Sequence, residues 1–190
     1  MEGVELRRLS NLLQEELIKG LERLGYKTLN YIQVKSLEAS RHYQNILIVA
    51  PTGAGKTEAA ILPVLRDLIN EGGEPIFAIY ISPLRALNRD IYDRMIELFQ
   101  MFGFEAEIRH GDTPQKTRKK IAEKPPHFLI TTPETAQFLL VDKRYREKLR
   151  NIRWVIVDEV HELLDDKRGA QLSLALERLR LIAPNLKIIG

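Results

Sequence analysis

Residues 50–57 read APTGAGKT and directly follow the apolar residues 46–49. Gly53 and Gly55 can adopt backbone conformations that are closed to other residues, so successive N–H groups of this loop can converge on phosphate oxygens. Lys56 adds a cation that reaches the β- and γ-phosphates of a nucleotide, and the Thr57 hydroxyl can ligate Mg²⁺. A helix that starts here adds its positive end. The pattern predicts a nucleotide-phosphate loop, and an ordinary Gly-rich turn is the alternative.

Residues 153–161 read RWVIVDEVH, an apolar strand that ends in two acids. Asp158 can hold Mg²⁺ directly or through water, and Glu159 is placed to orient and deprotonate the water that attacks a γ-phosphate. The alternative is a pair of acids that merely ends a strand. The catalytic candidates are Lys56, Asp158, Glu159 and His161. A histidine at this position also fits a structural hydrogen bond.

Strand-like and helix-like segments alternate along most of the chain. The apolar runs 46–49 and 76–81 are typical of buried strands. The predicted strands cover residues 46–50, 76–81, 104–109, 127–131, 153–157 and 186–189. The predicted helices cover residues 5–24, 31–42 (with Asn30 as N-cap), 55–70, 83–102, 114–123, 133–141, 145–149 and 171–182. This alternation predicts an α/β fold, with a parallel β-sheet and helices on both faces.

Three predicted helices begin with Ser or Thr followed by Pro, at Ser82-Pro83, Thr113-Pro114 and Thr132-Pro133. This pair is a preferred helix start. In a parallel sheet, helix starts that follow strands lie along the carboxyl edge, so these should line the same edge as the phosphate loop. Free N–H groups, hydroxyls and positive helix ends in a row would suit a phosphodiester backbone. Ordinary capping is the alternative.

The composition excludes several classes of protein. The 190 residues suffice for one domain, residues 1–190, with a proper core. The absence of cysteine excludes disulfides, Cys-ligated zinc and thiol catalysis. The net charge of +3 is too small to indicate nucleic acid by itself. No apolar run approaches the ~18 residues of a membrane span, and the first residues do not resemble a signal peptide. We therefore predict a cytoplasmic protein without a membrane partner, with nucleoid association as an option.

APTGAGKT together with DEVH resembles motifs I and II of superfamily 2 helicases, in which Ala at the first loop position is common. Gly25-Tyr26 followed by Gln33 resembles the Q motif, in which the glutamine amide reads adenine and the aromatic lies near the base. A Gln amide matches the N6/N7 edge of adenine. Leu29 and Asn30 depart from the Pro-Thr of many relatives.

Three further stretches resemble the segments of these helicases that touch the nucleic-acid backbone. Pro83-Leu84-Arg85 resembles motif Ia, Gly111-Asp112-Thr113 resembles the Gly-containing segment, and Thr132-Pro133-Glu134 resembles motif Ib. Taken together, the stretches resemble the large helicase-related (Lhr) proteins most and the Ski-like helicases next, while the DEVH spelling disfavours the DEAD-box branch.

The resemblance implies a RecA-like P-loop NTPase domain with ATP and Mg as cofactors. Nucleotide binding would fall to Tyr26, Gln33, Pro51, Thr52, Gly53, Ala54, Gly55, Lys56 and Thr57, and metal binding to Thr57 and Asp158. The partners would be DNA or RNA, single-stranded or duplex with a tail. A second RecA-like lobe of the same polypeptide, absent from this chain, would supply an arginine finger. The final strand would lie between the phosphate-loop strand and the strand that carries Asp158.

Two functions stay open on the sequence alone: a motor lobe of an ATP-dependent helicase or translocase, and a non-catalytic module that binds nucleotide and nucleic acid. The basic stretches 116–120 and 144–150 are typical of solvated surface, with added phosphate contacts as the alternative.

Overall fold

The computed structural model of the protein describes residues 3–83, 89–164 and 167–190. The chain forms two compact units, Met1–Gly72 with Ile189 and Gly73–Ile188 with Gly190. The phosphate loop belongs to the first unit and the DEVH segment to the second.

The first unit is mainly helical. Its helices are α1 (Glu15–Arg23), α2 (Tyr31–Ala39) and α3 (Lys56–Glu71), and a 3-10 turn covers Leu6–Leu9. Its strands are β1 (Val4–Glu5), β2 (Thr28–Leu29) and β3 (Asn45–Ile46), of which β1 and β2 pair antiparallel.

The predicted helix over residues 5–24 is wrong in its first half, because the α-helix starts only at Glu15. The N–H groups of Leu12 and Leu13 both donate to the carbonyl of Leu9 at 2.8 Å, which closes a tight turn before α1. The leucines of this segment are buried although it is not α-helical. Their spacing therefore reported burial correctly but could not show where the α-helix begins.

The end of α1 is the predicted glycine stop. Gly25 has a φ of 87°, in the left-handed region. The N–H groups of Gly25 and Tyr26 donate to the carbonyls of Glu22 and Leu21, at 3.0 Å each. These two bonds satisfy helix carbonyls that would otherwise lack partners.

A hydroxyl joins α2 to α3 at the point where a proline interrupts the second helix. Pro63 lies inside α3 and has no N–H to offer the carbonyl of Ala59, four residues earlier. The buried Ser36 hydroxyl donates to that carbonyl at 2.6 Å. Ser36 therefore satisfies the acceptor that Pro63 leaves without a helical partner.

The second unit alternates strand and helix as predicted, except that residues 145–149 do not form the single helix that was predicted. Its strands are β4 (Ala78–Ile81), β5 (Ala106–Arg109), β6 (Phe128–Thr131), β7 (Trp154–Val157) and β8 (Lys187–Ile189), the last residue being counted with the first unit. Its helices are α4 (Arg89–Met101), α5 (Gln115–Glu123), α6 (Pro133–Val141), α7 (Lys143–Arg146), α8 (Val160–Leu164) and α9 (Lys167–Ile182), with a 3-10 turn at Lys148–Asn151.

Six strands form the main sheet, in the order β3-β8-β7-β4-β6-β5. The place of β8 in this order is the predicted one. Strands β5, β6, β4 and β7 are parallel, and their last residues are in register: Ile81 pairs with Thr131 and Val157, and Arg109 pairs with Thr131. The segments that follow these four strands therefore begin at one edge of the sheet, which confirms the predicted carboxyl edge within the second unit.

Helices cover both faces of the sheet in the second unit. Side chains such as Ile79 and Ile81 point into a core shared with α6 and α9. Tyr80 points to the opposite face, where the rings of Phe99 and Phe128 stack with centroids 4.1 Å apart. This double cover explains why β4 is apolar throughout. No helix in the described part of the chain is long and apolar enough to cross a membrane.

The predicted buried strand over residues 46–50 is wrong in length and in burial. Only Asn45–Ile46 is extended, and the side chains of Leu47 and Val49 are 70% and 85% exposed. Leu47 and Val49 alternate with the half-buried Ile46 and Ile48, so one side of this segment faces solvent. Apolar residue type alone could not show that this side is exposed.

Candidate functional site

The phosphate loop has the backbone that its glycines predict. Gly53 and Gly55 have φ values of 78° and 80°, which other residues rarely adopt. Gly55 is also the N-cap residue of α3, and its carbonyl accepts from the N–H of Ala59 at 3.0 Å. The loop thus turns directly into a helix start, an arrangement that concentrates N–H groups and positive dipole for an anion.

The Lys56 ammonium lies on carbonyls of its own loop. Its Nζ donates to the carbonyl of Ala50 at 2.8 Å and lies 3.4 Å from that of Pro51. Both Lys56 and Thr57 are half-buried, whereas Pro51, Thr52 and Gly53 are exposed. A charged group held by neutral carbonyls is available for exchange onto a more strongly accepting phosphate oxygen.

Asn30 and Gln33 hold the phosphate loop from α2. Their side chains form a capping box, in which each accepts from the other's backbone N–H, at 3.0 and 2.9 Å. Asn30 Nδ2 also donates to the carbonyl of Ala54 at 2.9 Å. A Cβ on Gly55 would lie 2.8 Å from Gln33 Nε2 and 2.9 Å from Asn30 Nδ2, so these side chains pack directly against the loop. Gln33 is buried, and its amide lies beside the phosphate loop.

Tyr26 lies elsewhere in the first unit, in an open cavity of about 590 Å³ near β1 and β2. Gly25 and Lys27 are among the neighbours that line it. The role of Tyr26 beside an adenine stays a prediction.

In the second unit, Asp158 follows β7 and is held by a neighbouring strand. Tyr80 Oη donates to Asp158 Oδ2 at 2.7 Å, and the N–H of Glu159 donates to Asp158 Oδ1 at 3.0 Å. Glu159 has a φ of 49°, a strained conformation for a residue with a side chain. Such strain persists where the surroundings impose it, often at functional sites. His161 is exposed, with Nδ1 3.4 Å from Glu159 Oε2.

A second tyrosine lies on the same side of the sheet as Tyr80. The rings of Tyr80 and Tyr92 meet edge to face, with centroids 6.1 Å apart. Burial raises the pKa of Tyr92, the hydroxyl of Ser82 acts in the opposite direction, and the negative charge of Asp158 raises it further. Tyr92 therefore stays a neutral phenol at physiological pH.

The residues after β5 form a closed loop. The N–H of His110 donates to Thr113 Oγ1 at 2.9 Å, and the N–H of Thr113 donates back to the carbonyl of His110 at 3.1 Å. Helix α5 begins at Gln115 with Pro114 as N-cap residue and no side-chain cap. The predicted Thr113 cap is therefore wrong, because the Thr113 hydroxyl closes the preceding loop. Gly111 and Asp112 are exposed at its tip.

At the end of β6, Thr132 is the predicted helix cap. Its hydroxyl accepts from the N–H of Thr135 at 3.3 Å, and Pro133 is the first residue of α6. Thr132 and Pro133 are buried, and Glu134 is exposed. The hydroxyls of Thr113 and Thr132 thus act within the protein, whereas Gly111, Asp112 and Glu134 are exposed.

The third predicted helix start is only partly described. Ser82 and Pro83 are buried directly after β4. Leu84 and Arg85 lie outside the described residues, so their predicted contact with nucleic acid stays a prediction.

The two residues predicted to bind a metal both offer oxygen atoms, which Mg²⁺ prefers. Mg²⁺ usually takes one or two carboxylates and completes its shell with phosphates and water. The predicted ligands Thr57 and Asp158 lie in the first and the second unit, respectively, and their joint binding of Mg²⁺ stays a prediction. No cluster of three or more His, Cys, Asp or Glu ligands occurs among the described residues.

The sequence profile of the DEAD/DEAH box helicases matches residues 30–190. The chain belongs to the DEAD/DEAH box helicase family. The match includes Gln33, the phosphate loop, the DEVH segment, the loop at residues 110–113 and the start of α6. This helicase domain is therefore a member of the superfamily that its motifs indicate.

Similar proteins carry the Lhr name. The ATP-dependent helicase Lhr-Core of Methanothermobacter thermautotrophicus is 44% identical over 77% of this chain and 19% of its own length. The structure of Mycobacterium smegmatis helicase Lhr bound to ssDNA and AMP-PNP matches 98% of this chain and 25% of that one, with a TM-score of 0.80 and 32% identity. Mss116p bound to ssRNA and AMP-PNP has a TM-score of 0.85 at 22% identity, which shows the shared fold. The chain thus spans about a fifth of the length of the curated Lhr-Core relatives it matches.

Some residues of this helicase domain were missed in the sequence. Tyr80 is one polar tip in an apolar strand, and only the pairing of β4 with β7 shows that it reaches Asp158. Arg109 was missed as well. Its buried guanidinium lies against the rings of Phe138 and Tyr145, 5.0 and 4.9 Å from their centroids. Burial lowers the pKa of Arg109, while Tyr145 and Asp142 raise it. The sequence signal available for Arg109 was its position as a basic residue at the end of a strand with alternating polarity.

Proposed function

We propose that this helicase domain is the ATP-binding motor lobe of an ATP-dependent DNA or RNA helicase or translocase. The observation that carries the proposal is the phosphate loop, where Gly53 and Gly55 have positive φ and Lys56 is half-buried. Membership of the helicase family supports the same reading.

ATP binding begins with an exchange at Lys56. The ammonium leaves the carbonyls of Ala50 and Pro51 for the β- and γ-phosphates, while the N–H groups of residues 52–57 surround the phosphate oxygens. Gln33, already fixed by its capping box, reads the adenine, and Tyr26 lies near the base.

Hydrolysis requires charge neutralisation and an oriented water. Thr57 and Asp158 would hold Mg²⁺, which would offset the charge that develops on the β- and γ-phosphates. Tyr80 keeps the Asp158 carboxylate in place. Glu159 orients the attacking water and accepts its proton, with His161 as a neighbouring polar group.

The strand of DNA or RNA lies along the carboxyl edge of the second unit. Its phosphates meet Gly111, Asp112 and Thr113, the start of α6 at Thr132, Pro133 and Glu134, and residues 83–85. The Lhr structure that contains ssDNA supports a single strand, or a duplex with a tail, as the partner. A second RecA-like lobe supplies the arginine finger, worth about 10³–10⁵ in rate.

The first test is ATP turnover by the 190-residue chain, with and without single-stranded DNA or RNA. We expect binding of Mg-ATP with very slow turnover that nucleic acid does not stimulate, because the finger comes from the second lobe. Fast, nucleic-acid-stimulated hydrolysis by a chain that sedimentation shows to be monomeric would contradict the proposal.

The second test is Glu159→Gln in the full-length parent helicase. We expect ATP binding to persist and hydrolysis to be lost, since the amide cannot accept the proton. The matched control is Glu162→Gln, which neutralises an exposed acid on α8 and should leave turnover unchanged. Unchanged turnover in Glu159→Gln would remove Glu159 from the role of base.

A further inference from the structure

The loop between β5 and α5 is held by an arginine from the helix that follows it. Arg118 Nε donates to the carbonyl of Thr113 at 2.6 Å, and Arg118 Nη2 donates to the carbonyl of Gly111. Arg118 lies in the basic stretch 116–120, but it is only half-exposed, unlike the exposed Lys116, Lys119 and Lys120. Its guanidinium is therefore engaged by the protein itself.

Three N–H groups of this loop are also paired within it. Asp112 N–H donates to His110 Nδ1 at 3.2 Å, and the N–H groups of His110 and Thr113 are paired within the loop. Within the described residues, no acceptor is found for the N–H of Gly111. The loop thus turns two carbonyls toward Arg118 and leaves one N–H at an exposed tip.

Gly111 has no requirement from the fold for being glycine. Its φ lies outside the left-handed region, and a Cβ built on it would meet nothing within 4 Å. Open space at the Cβ position of an exposed glycine suits the close approach of a phosphate group to the backbone.

We propose that Arg118 is a positioning residue for nucleic-acid binding: it fixes the carbonyls of Gly111 and Thr113 inward, so that the N–H of Gly111 points to a backbone phosphate. The inference rests on the proposed function, because it assumes that this edge binds DNA or RNA. Arg suits the role because its planar fork reaches two acceptors in a fixed geometry, which a single ammonium does not.

A hydrogen bond joins the strand before the loop to the neighbouring strand β6, which fixes the position of the loop relative to the start of α6. Thr131 Oγ1 donates to the carbonyl of Arg109 at 2.7 Å, which links the end of β6 to the residue before the loop. A shift of the 110–113 loop would therefore change its spacing from the start of α6. Because this spacing is fixed before binding, less conformational entropy is lost when the nucleic acid binds.

The test compares Arg118→Met and Arg118→Lys with Lys119→Met, which removes the same charge one residue along. Affinity for fluorescent single-stranded DNA and RNA is measured over a range of salt concentrations, and amide hydrogen exchange of residues 110–113 is followed without nucleic acid. We expect Arg118→Met to bind about three- to tenfold more weakly than Lys119→Met, with the same salt slope. We expect Arg118→Lys to stay weak, and amide exchange at residues 111–113 to accelerate in both Arg118 variants.

Three outcomes would overturn the inference. Binding by Arg118→Met equal to that of Lys119→Met would show that the clamp is not needed. A salt slope lower by about one in Arg118→Met, with full rescue by Arg118→Lys, would make Arg118 a direct phosphate contact. Unchanged exchange at residues 110–113 would show that the loop does not depend on Arg118. Failure of the wild-type chain to bind either strand, with Mg-ATP binding intact, would instead overturn the nucleic-acid part of the proposed function.

Discussion

The phosphate loop of the first unit and the 110–113 loop of the second unit are alike in one respect. Each carries a basic side chain that lies on the loop's own carbonyls: Lys56 on Ala50 and Pro51, and Arg118 on Gly111 and Thr113. The difference lies in the chemistry of the two cations. The lysine ammonium is a point charge on a flexible side chain and can exchange one acceptor for another. The planar arginine guanidinium donates to two acceptors at once, which favours a fixed contact.

The glycines of the two loops differ as well. Gly53 and Gly55 have positive φ, and Gly55 packs against Asn30 and Gln33, so the fold itself requires them. Gly111 has neither constraint. A glycine required by the backbone and a glycine that leaves room for a ligand look the same in a sequence, and the structure separates them.

The largest effect is expected for Lys56→Met. The variant should fold normally and lose about 100-fold or more in affinity for Mg-ATP, because no other cation of the loop reaches the β- and γ-phosphates. Isothermal titration calorimetry measures the loss. The control is Lys19→Met, an exposed lysine of α1, which should bind like wild type. Unchanged affinity in Lys56→Met would mean that the lysine is structural, like Arg118.

Alanine at the two kinds of glycine should have opposite effects on stability. Gly55→Ala should lower the free energy of unfolding by about 1–3 kcal/mol, from the positive φ and the crowding at Gln33 Nε2. Gly111→Ala should leave stability unchanged or raise it by up to about 1 kcal/mol. Urea unfolding measures both. A large destabilisation by Gly111→Ala would show that the fold does require this glycine.

Gly111→Ala should also weaken nucleic-acid binding without changing the affinity for Mg-ATP, since the added methyl group fills the open space at the Cβ position of this exposed residue. Fluorescence anisotropy with a labelled single strand measures this loss. Wild-type affinity would show that no phosphate approaches Gly111 closely.

A further stability effect concerns the support of the phosphate-loop helix. Ser36→Ala should cost about 1–2 kcal/mol of stability, because it leaves the buried carbonyl of Ala59 without a donor. In the Pro63→Ala background the same change should cost less, because residue 63 then supplies an N–H to Ala59. Equal costs in both backgrounds would show that Ser36 does not compensate for Pro63.

Much of the fold could be predicted from the sequence because its signals are local. The run at Ala78–Ile81, the glycine stop after α1 and the Thr132-Pro133 start each follow from residue types that permit few conformations. The exposed residues after β3 and the turn before Glu15 could not be predicted in the same way. The spacing of apolar residues does not show which side of a segment is covered or where a helix begins.

The candidate site divides along the same line. Motif residues such as Lys56 and Asp158 could be named because their chemistry needs those types at that spacing. Tyr80 and Arg118 could not, because each acts on a partner that the sheet or a loop turn brings near. Asn30, a departure from the usual Pro-Thr, was recognised as a helix cap, but its bond to Ala54 depends on tertiary packing.

The most direct test of the account is the structure of this chain with Mg-AMP-PNP. We predict that Lys56 Nζ leaves the carbonyl of Ala50 and contacts the β- and γ-phosphates, while the Arg118 fork stays on the carbonyls of Gly111 and Thr113. A nucleotide bound with Lys56 still on Ala50, or bound away from residues 50–57, would contradict the central claim that this loop is the ATP site.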